Sequence, residues 1–264
     1  MEPESRTSAF AVTGDAYDAF MGRYARPLAV GFAFFAGVAP GHRALDVGCG
    51  PGALTGELVR RLGAGAVWAC DPSASFVAAC AERHPGAEVR MGAAERLPFG
   101  DRAFDLVLAQ LVLHFVADPD RAASEFTRAT APGGTIAACV WDFARGMELL
   151  RAFWDAALRV DPEAPDEMRV MKFGGPGEIA DWLTVAGLDS VSETELVVHS
   201  TYADFDELWS GLLAGVGPAG RFCVEQTPSR RDELRRALYE RLDEPTGPFT
   251  LEAVARAACG RRAD

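Results

Sequence analysis

The sequence predicts an α/β fold with buried parallel strands, and three observations carry that prediction. A short apolar run, Ala44-Leu45-Asp46-Val47, breaks into Gly48, Gly50 and Gly52, after which Ala53 to Leu62 repeats apolar residues at helical spacing. A second apolar run, Ala66 to Cys70, ends on an acid, Asp71, nineteen residues past Gly52. Further short apolar runs then alternate with helical patterns along the chain, the arrangement that builds a parallel sheet.

The glycine turn is the first functional signal. Glycine is needed where the backbone takes a positive φ or where a ligand must approach main-chain atoms closely. The free N–H groups of the helix start behind it aim at such a ligand. Asp71, at the carboxyl end of the second strand, is placed to accept hydrogen bonds from both ribose hydroxyls of an adenosine. Asp71-Pro72-Ser73 also reads as a helix N-cap, and the two roles are compatible. Gly48 to Ala53 can be taken as G-x-G-x-x-A, a variant of the dinucleotide fingerprint, so a nicotinamide cofactor is one candidate.

Composition bounds the rest. A chain of 264 residues with 49% hydrophobic content is long enough to bury a substantial core as one domain. The formal net charge is −12, which argues against nucleic acid and against anionic membranes as partners. Arg230-Arg231 and Arg235-Arg236 are read as a solvated helix face. The six cysteines stand without a C-x-x-C pair or a histidine pattern, so no metal site is read and a reducing, cytoplasmic setting is expected. The acidic start Met1-Glu2-Pro3-Glu4 is not a signal peptide, and no apolar run reaches the length of a membrane span.

Taken in order, residues 1 to 13 are expected to be flexible. Gly14 to Val38 carries Tyr17, Phe20, Met21, Tyr24, Leu28, Phe32 and Phe35 at helical spacing, which predicts one or two amphipathic helices over the sheet or over a pocket. Strands are expected at Ala44 to Val47, Ala66 to Cys70, Ala87 to Met91, up to Gln110, and at Ile136 to Trp141. Arg121 to Thr130 reads as a helix and Ala131 to Thr135 as a turn. Residues 143 to 174 give a helical segment and a Pro/Gly-rich loop, Glu178 to Ala186 a helix, and Val191 to Val198 a strand. Phe205 to Val216 is helical, Gly215 to Gly220 a loop, and Ser229 to Leu242 a charged helix. Pro248 to Ala258 supplies a last strand, with Phe249, Leu251, Val254 and Ala258 as inward positions.

Leu45 to Gly52 reads LDVGCGPG and resembles motif I of the class I S-adenosylmethionine (SAM)-dependent methyltransferases. The order of later blocks extends the resemblance from about Gly41 to Val140: Asp71 with Pro72-Ser73, then Ala94-Glu95-Arg96-Leu97-Pro98-Phe99, then Phe104-Asp105 with Gln110, then Pro132-Gly133-Gly134. Ala93 stands where many members have Asp, so a side-chain contact to an adenine amine is not expected there. The resemblance implies a Rossmann-like, seven-stranded, mostly parallel sheet with helices on both faces and SAM at the carboxyl ends of the strands. It implies cofactor contacts from Asp46, Gly48, Cys49, Gly50, Gly52, Asp71, Pro72, Ala94, Glu95, Gln110 and Leu111.

On the acceptor side the resemblance points to His114 as a base, and Asp142, which closes the fifth strand on the ligand edge of the sheet, is a second candidate to hold or activate the acceptor. A structural histidine and a helix-capping acid are the competing readings of these two. Residues 1–40 are expected to form a helical cover, with Tyr17, Arg23 and Tyr24 as lid residues. Residues 41–142 would form the SAM-binding core of a single domain. Residues 143–264 would complete the sheet and add two insertions, whose Phe153, Trp154, Phe173, Trp209 and Phe222 suggest an apolar acceptor surface or a cap on the sheet. The expected reaction moves a methyl group to an O, N or C nucleophile of a small apolar metabolite. The rivals are an NAD(P)-dependent oxidoreductase, for which no Tyr-x-x-x-Lys pair is present, and a protein that binds SAM without methyl transfer.

Overall fold

Seven strands join in one sheet: β1 (Ala44–Val47), β2 (Val67–Asp71), β3 (Glu88–Met91), β4 (Phe104–Gln110), β5 (Thr130–Trp141), β6 (Asp189–Tyr202) and β7 (Phe249–Arg261). The computed structural model describes residues 14–264, so the flexibility expected for residues 1–13 lies outside the described residues. The strand order is β3-β2-β1-β4-β5-β7-β6. The first five strands run parallel, and β7 is inserted antiparallel between β5 and β6. β1 is buried at every position and β4 at all but one, which is why their sequences read as continuous apolar runs.

Helices cover both faces. On one face lie α1 (Gly14–Tyr17), α2 (Arg23–Phe35), α3 (Ala53–Leu62) and α6 (Glu148–Val160), with α8 (Phe205–Leu213), α9 (Gly217–Glu225) and α10 (Pro228–Arg241) stacked beyond them. On the other lie α5 (Pro119–Ala129) and α7 (Glu178–Val185), which bury Phe126, Ile179 and Trp182 against Leu45, Val107 and Ile136. α4 (Ala74–Arg83) packs beside β2 and β3. Each fully buried Leu, Phe or Ile in these layers is worth roughly 1.5–3 kcal/mol. Asp118 caps α5 by accepting from the Arg121 N–H at 3.0 Å, with Pro119 at the first helical position. Among the described residues no helix is long and apolar enough to cross a membrane.

α1 and α2 are joined by a π-helical turn, Asp18–Gly22, so the expected one or two helices form one continuous rod carrying an extra residue. Three other expectations are corrected. β5 begins at Thr130, because Thr130 pairs with Phe104 ahead of a register shift, so the expected turn at 131–135 lies within the strand. Gly217–Glu225 is helix rather than loop, since Pro218 sits in the first turn where its missing N–H costs nothing. On β7, Leu251 and Ala258 are buried as expected. Val254, however, shares the face of Arg256, because a period of two puts it opposite Leu251, Ala253 and Ala255.

Candidate active site

At the carboxyl ends of β1, β2 and β4 a cavity of about 890 Å³ opens under the N-terminal rod. Its floor is the glycine turn. The Gly48 and Cys49 N–H groups donate to the Cys70 carbonyl at 2.7 and 3.0 Å, which folds the turn back onto β2. Gly48 has φ +70°, and a Cβ built there would sit 2.5 Å from Val112 Cγ2, so only glycine admits the loop that follows β4. Asp71 grips the same turn: its Oδ2 accepts from the Gly50 N–H at 2.9 Å and its Oδ1 from the Ser73 N–H at 2.8 Å. The ribose-contact and capping geometries are thus both present in one carboxylate. Burial raises the Asp71 pKa, partly offset by those two N–H groups.

Asp46 stands behind the turn, 1% exposed, and accepts from the Thr55 hydroxyl at 2.7 Å. Burial pushes it up to about 7, with the Thr55 bond opposing and the Asp71 charge adding to the rise. Among the described residues the cavity lining holds these two acids and no Arg, Lys or His. At its far side Gln110 is fixed by a bond from its Nε2 to the Ala25 carbonyl at 2.9 Å, while its buried Oε1 has no hydrogen-bond partner. Leu111 follows with φ +62°, a strained conformation for a branched side chain of the kind that gathers at binding sites.

Of the eleven cofactor contacts expected from the sequence, eight line this cavity: Asp46, Gly48, Cys49, Gly50, Asp71, Pro72, Gln110 and Leu111. Gly52 does not. It starts α3 at φ +100° with its carbonyl 2.9 Å from His84 Nε2, so its freedom serves packing against His84. Ala94 and Glu95 are also absent from the lining. Glu95 Oε1 accepts from the Ala117 and Asp118 N–H groups at 2.9 and 3.4 Å, which ties it to the entry of α5. Tyr17, Phe76 and Phe115 line the cavity without having been assigned to the cofactor, and Tyr17 meets Phe76 edge-on with ring centroids 5.6 Å apart.

A second cavity of about 420 Å³ adjoins the first and shares Tyr17, Leu111 and Phe115 with it. His114 lines it, buried between Phe115 and Phe143, at centroid distances of 4.2 and 5.1 Å. Asp142 does not reach it. Its Oδ2 accepts from Arg256 at 2.9 Å and its Oδ1 from the Ala144 and Arg145 N–H groups, so it takes the capping role that competed in the sequence with a place at the acceptor. Of the lid residues only Tyr17 reaches either cavity. Tyr24 is buried against Tyr202 and Trp141, and Arg23 lies over the Tyr202 ring and pairs with Glu207. The five aromatic residues of the insertions line neither cavity: Phe153, Trp154 and Phe222 pack on one another, Phe173 packs on Trp182, and Trp209 on Phe205.

The insertions contribute something the sequence did not reveal. Glu167, 3% exposed, lines the second cavity from a short 3₁₀ turn after α6, and its Oε2 accepts from Trp154 Nε1 at 2.7 Å. Burial pushes it up to about 7, the Trp154 bond opposing and the neighbouring Asp166 adding to the rise. Asp166 itself is held by Arg151 at 3.1 Å. Trp141, 2% exposed, lines the same cavity, and its Nε1–H has no hydrogen-bond partner. A lone Glu in a loop carries no local signal. The only available clue was its position in the insertion after the fifth strand.

A sheet of this order, with a glycine turn after β1 and an acid ending β2, defines a nucleoside-binding α/β fold with an adjoining cavity. A family model described as a methyltransferase domain matches residues 45–138. A malonyl-[acyl-carrier protein] O-methyltransferase of Dechloromonas aromatica is 30% identical over 220 residues, 82% of this chain and 79% of that protein. A ubiquinone/menaquinone biosynthesis C-methyltransferase of Cupriavidus necator is 34% identical over 125 residues, 46% of this chain and 51% of that protein. A solved Bacillus halodurans protein described as a methyltransferase shares the fold at TM-score 0.59 and 16% identity, over 89% of this chain and 99% of that one. The chain belongs to the class I SAM-dependent methyltransferases. It spans between 29% and 51% of the length of the first five curated relatives it matches.

Proposed function

We propose that this protein transfers the methyl group of SAM to an oxygen, nitrogen or carbon nucleophile of a small, largely apolar metabolite. The observation that carries this reading is the charge of the larger cavity, with two buried carboxylates and, among the described residues, no basic side chain in its lining. SAM brings a sulfonium and an ammonium against a single carboxylate, so it offsets the cost of holding Asp46 and Asp71 in a dry wall. A nicotinamide dinucleotide brings a pyrophosphate, which that wall repels. The unpartnered Oε1 of Gln110 offers one more acceptor for an ammonium N–H.

In this reading Asp71 takes the ribose hydroxyls, and the turn from Gly48 to Gly50 supports the nucleoside. Pro72 and Phe76 flank it, and Gln110 with Leu111 faces the amino-acid end. Bound SAM supplies a methyl carbon on a good leaving group. The chain therefore has mainly to align the acceptor and keep water out. The smaller, aromatic cavity suits the acceptor, with His114 on its wall. Relatives named for O- and for C-methylation leave the acceptor atom open at this level. We read residues 1–264 as one methyltransferase domain: the cover at 1–40, the cofactor core at 41–142 and the remaining sheet with its insertions at 143–264. The net charge of −12 supports a protein that engages neither nucleic acid nor anionic membranes, and the six free cysteines support a reducing, cytoplasmic setting.

Calorimetric titration with SAM, S-adenosylhomocysteine and NAD(H) tests the reading. SAM and S-adenosylhomocysteine are expected to bind, and Asp71→Ala to weaken both by roughly 100-fold, the loss of two charge-assisted hydrogen bonds. Binding of NAD(H) with no response to either methionine ligand would overturn it.

A further inference from the structure

The second cavity is apolar except at three places: Glu167, the Trp141 N–H and His114. Two of these are unusual. Among the described residues the buried indole N–H has no partner, so its lost hydration is uncompensated, which native proteins rarely leave without a ligand or water to complete it. Glu167 receives one hydrogen bond, on Oε2 from Trp154, and among the described residues its Oε1 accepts none. Two residues of the wall thus carry one unused donor and one unused acceptor, inside a shell formed by Phe20, Phe115, Phe143 and Leu150.

That pairing selects a chemical group. A hydroxyl accepts one hydrogen bond and donates one, so it satisfies Trp141 Nε1–H and Glu167 together. An alkylamine beside the carboxylate takes up a proton and, as an ammonium, only donates and leaves the indole N–H orphaned. An arylamine nitrogen is a poor acceptor for that N–H, and an ether or ketone only accepts and leaves the carboxylate facing carbon. A carboxylate acceptor would repel Glu167. Resting on the methyltransferase reading above, we propose that the acceptor is an alcohol or phenol on an apolar body. We further propose that its hydroxyl is held by Trp141 Nε1–H and that Glu167 takes up its proton as it is methylated. The hydroxyl oxygen forms the new O–C bond while the C–S bond to the sulfonium breaks with its electron pair. The O–H proton passes to Oε1 of Glu167, leaving a neutral ether, a neutral thioether and a protonated carboxyl. The raised affinity of Glu167 for a proton suits a base working near neutral pH.

The test uses three naphthalene probes that differ only in the polar group: 2-naphthol (donor and acceptor), 2-methoxynaphthalene (acceptor) and 2-naphthylmethylamine (a cationic donor). Each is titrated into the S-adenosylhomocysteine-loaded protein, and again into the protein alone. 2-Naphthol is expected to bind about tenfold more tightly than either analogue, one net buried hydrogen bond, and Trp141→Phe to abolish most of that preference. With SAM present the naphthol is converted to its methyl ether. Glu167→Gln, which keeps an oxygen for the Trp154 N–H, is expected to lower kcat about 100-fold with KM little changed and to flatten the rise of rate through about pH 7. Equal or tighter binding of the amine or the ether overturns the proposal, as does naphthol binding without ether formation. A Glu167→Gln enzyme with the wild-type rate and pH profile overturns it too. Failure of the wild type to bind S-adenosylhomocysteine instead removes the methyltransferase reading, while the probe preference of the protein alone still reports on the cavity.

Discussion

Asp46 is held in the fold against its own solvation. With 1% of its surface exposed and only the hydroxyl and backbone N–H of Thr55 opposing the cost of burial, its pKa is pushed up to about 7. The sign of the consequence is fixed. Between the ordinary carboxylate value and about 7 the folded chain binds more protons than the unfolded one, so this group lowers stability as pH rises through that window. Asp46→Asn is therefore expected to stabilise the ligand-free protein at pH 8 by on the order of 3 kcal/mol and to lose that advantage toward pH 4. Urea unfolding at the two pH values measures it, and a variant equally stable at both would refute the burial argument. The carboxylate form is also the one that a cationic donor needs. SAM affinity of the wild type should thus climb as pH rises through about 7, more steeply than that of the uncharged S-adenosylhomocysteine side chain end. A sequence shows Asp46 and Asp71 because both sit at fixed offsets from the glycines. It could not show Glu167 or the Trp141 N–H, whose meaning comes from which atoms remain unpaired after folding.

At the scale of elements, the β1–α3 turn is set by two independent requirements on one residue. Gly48 needs a positive φ, and it also needs the absence of a Cβ where Val112 crosses it. Gly48→Ala is expected to destabilise the protein by about 2 kcal/mol and to impair SAM binding, combining backbone strain with overpacking. Adding Val112→Ala should relieve the contact but not the strain and so recover about half of the loss. Full recovery in the double variant would show that the φ costs nothing. The same turn was legible letter by letter, because a strand, a glycine turn and a helix are local events. The helix at Gly217–Glu225 was not, since its opening Gly-Pro reads as a loop until packing on α8 and α10 makes it a helix. The ion pair of Asp142 was hidden for a related reason. Its partner Arg256 lies 114 residues away on β7, and no local pattern announces that pair.

For the whole molecule, the legible part is one contiguous half and the illegible part is assembled from pieces. The cofactor-side cavity is built almost wholly from residues 46 to 115. The smaller cavity is closed by the N-terminal rod, the end of β5, the 3₁₀ turn at Glu167–Arg169 and the start of α9. The rod matters to both, because Tyr17 stands at their junction. What fastens it there is Arg83 at the end of α4, which reaches Asp15 at 2.7 Å, Asp18 at 2.8 Å and the Pro51 carbonyl of the glycine turn at 3.2 Å. Each such exposed or half-exposed pair is worth about 1 kcal/mol or less, and screening by salt lowers it further. Together they are the right size for a cover that must hold while the ligands are bound and open to release them. Arg83→Ala is accordingly expected to raise the dissociation rate of SAM about tenfold, equivalent to ~1.4 kcal/mol, while global stability changes by less than about 1 kcal/mol. Stopped-flow displacement by S-adenosylhomocysteine gives the rate, and hydrogen exchange of residues 14–22 reports whether the rod has loosened. Added salt should accelerate release from the wild type and leave the variant nearly unchanged. An unaltered dissociation rate in the variant would mean that apolar packing of Phe20, Met21 and Tyr24, rather than Arg83, keeps the cover closed.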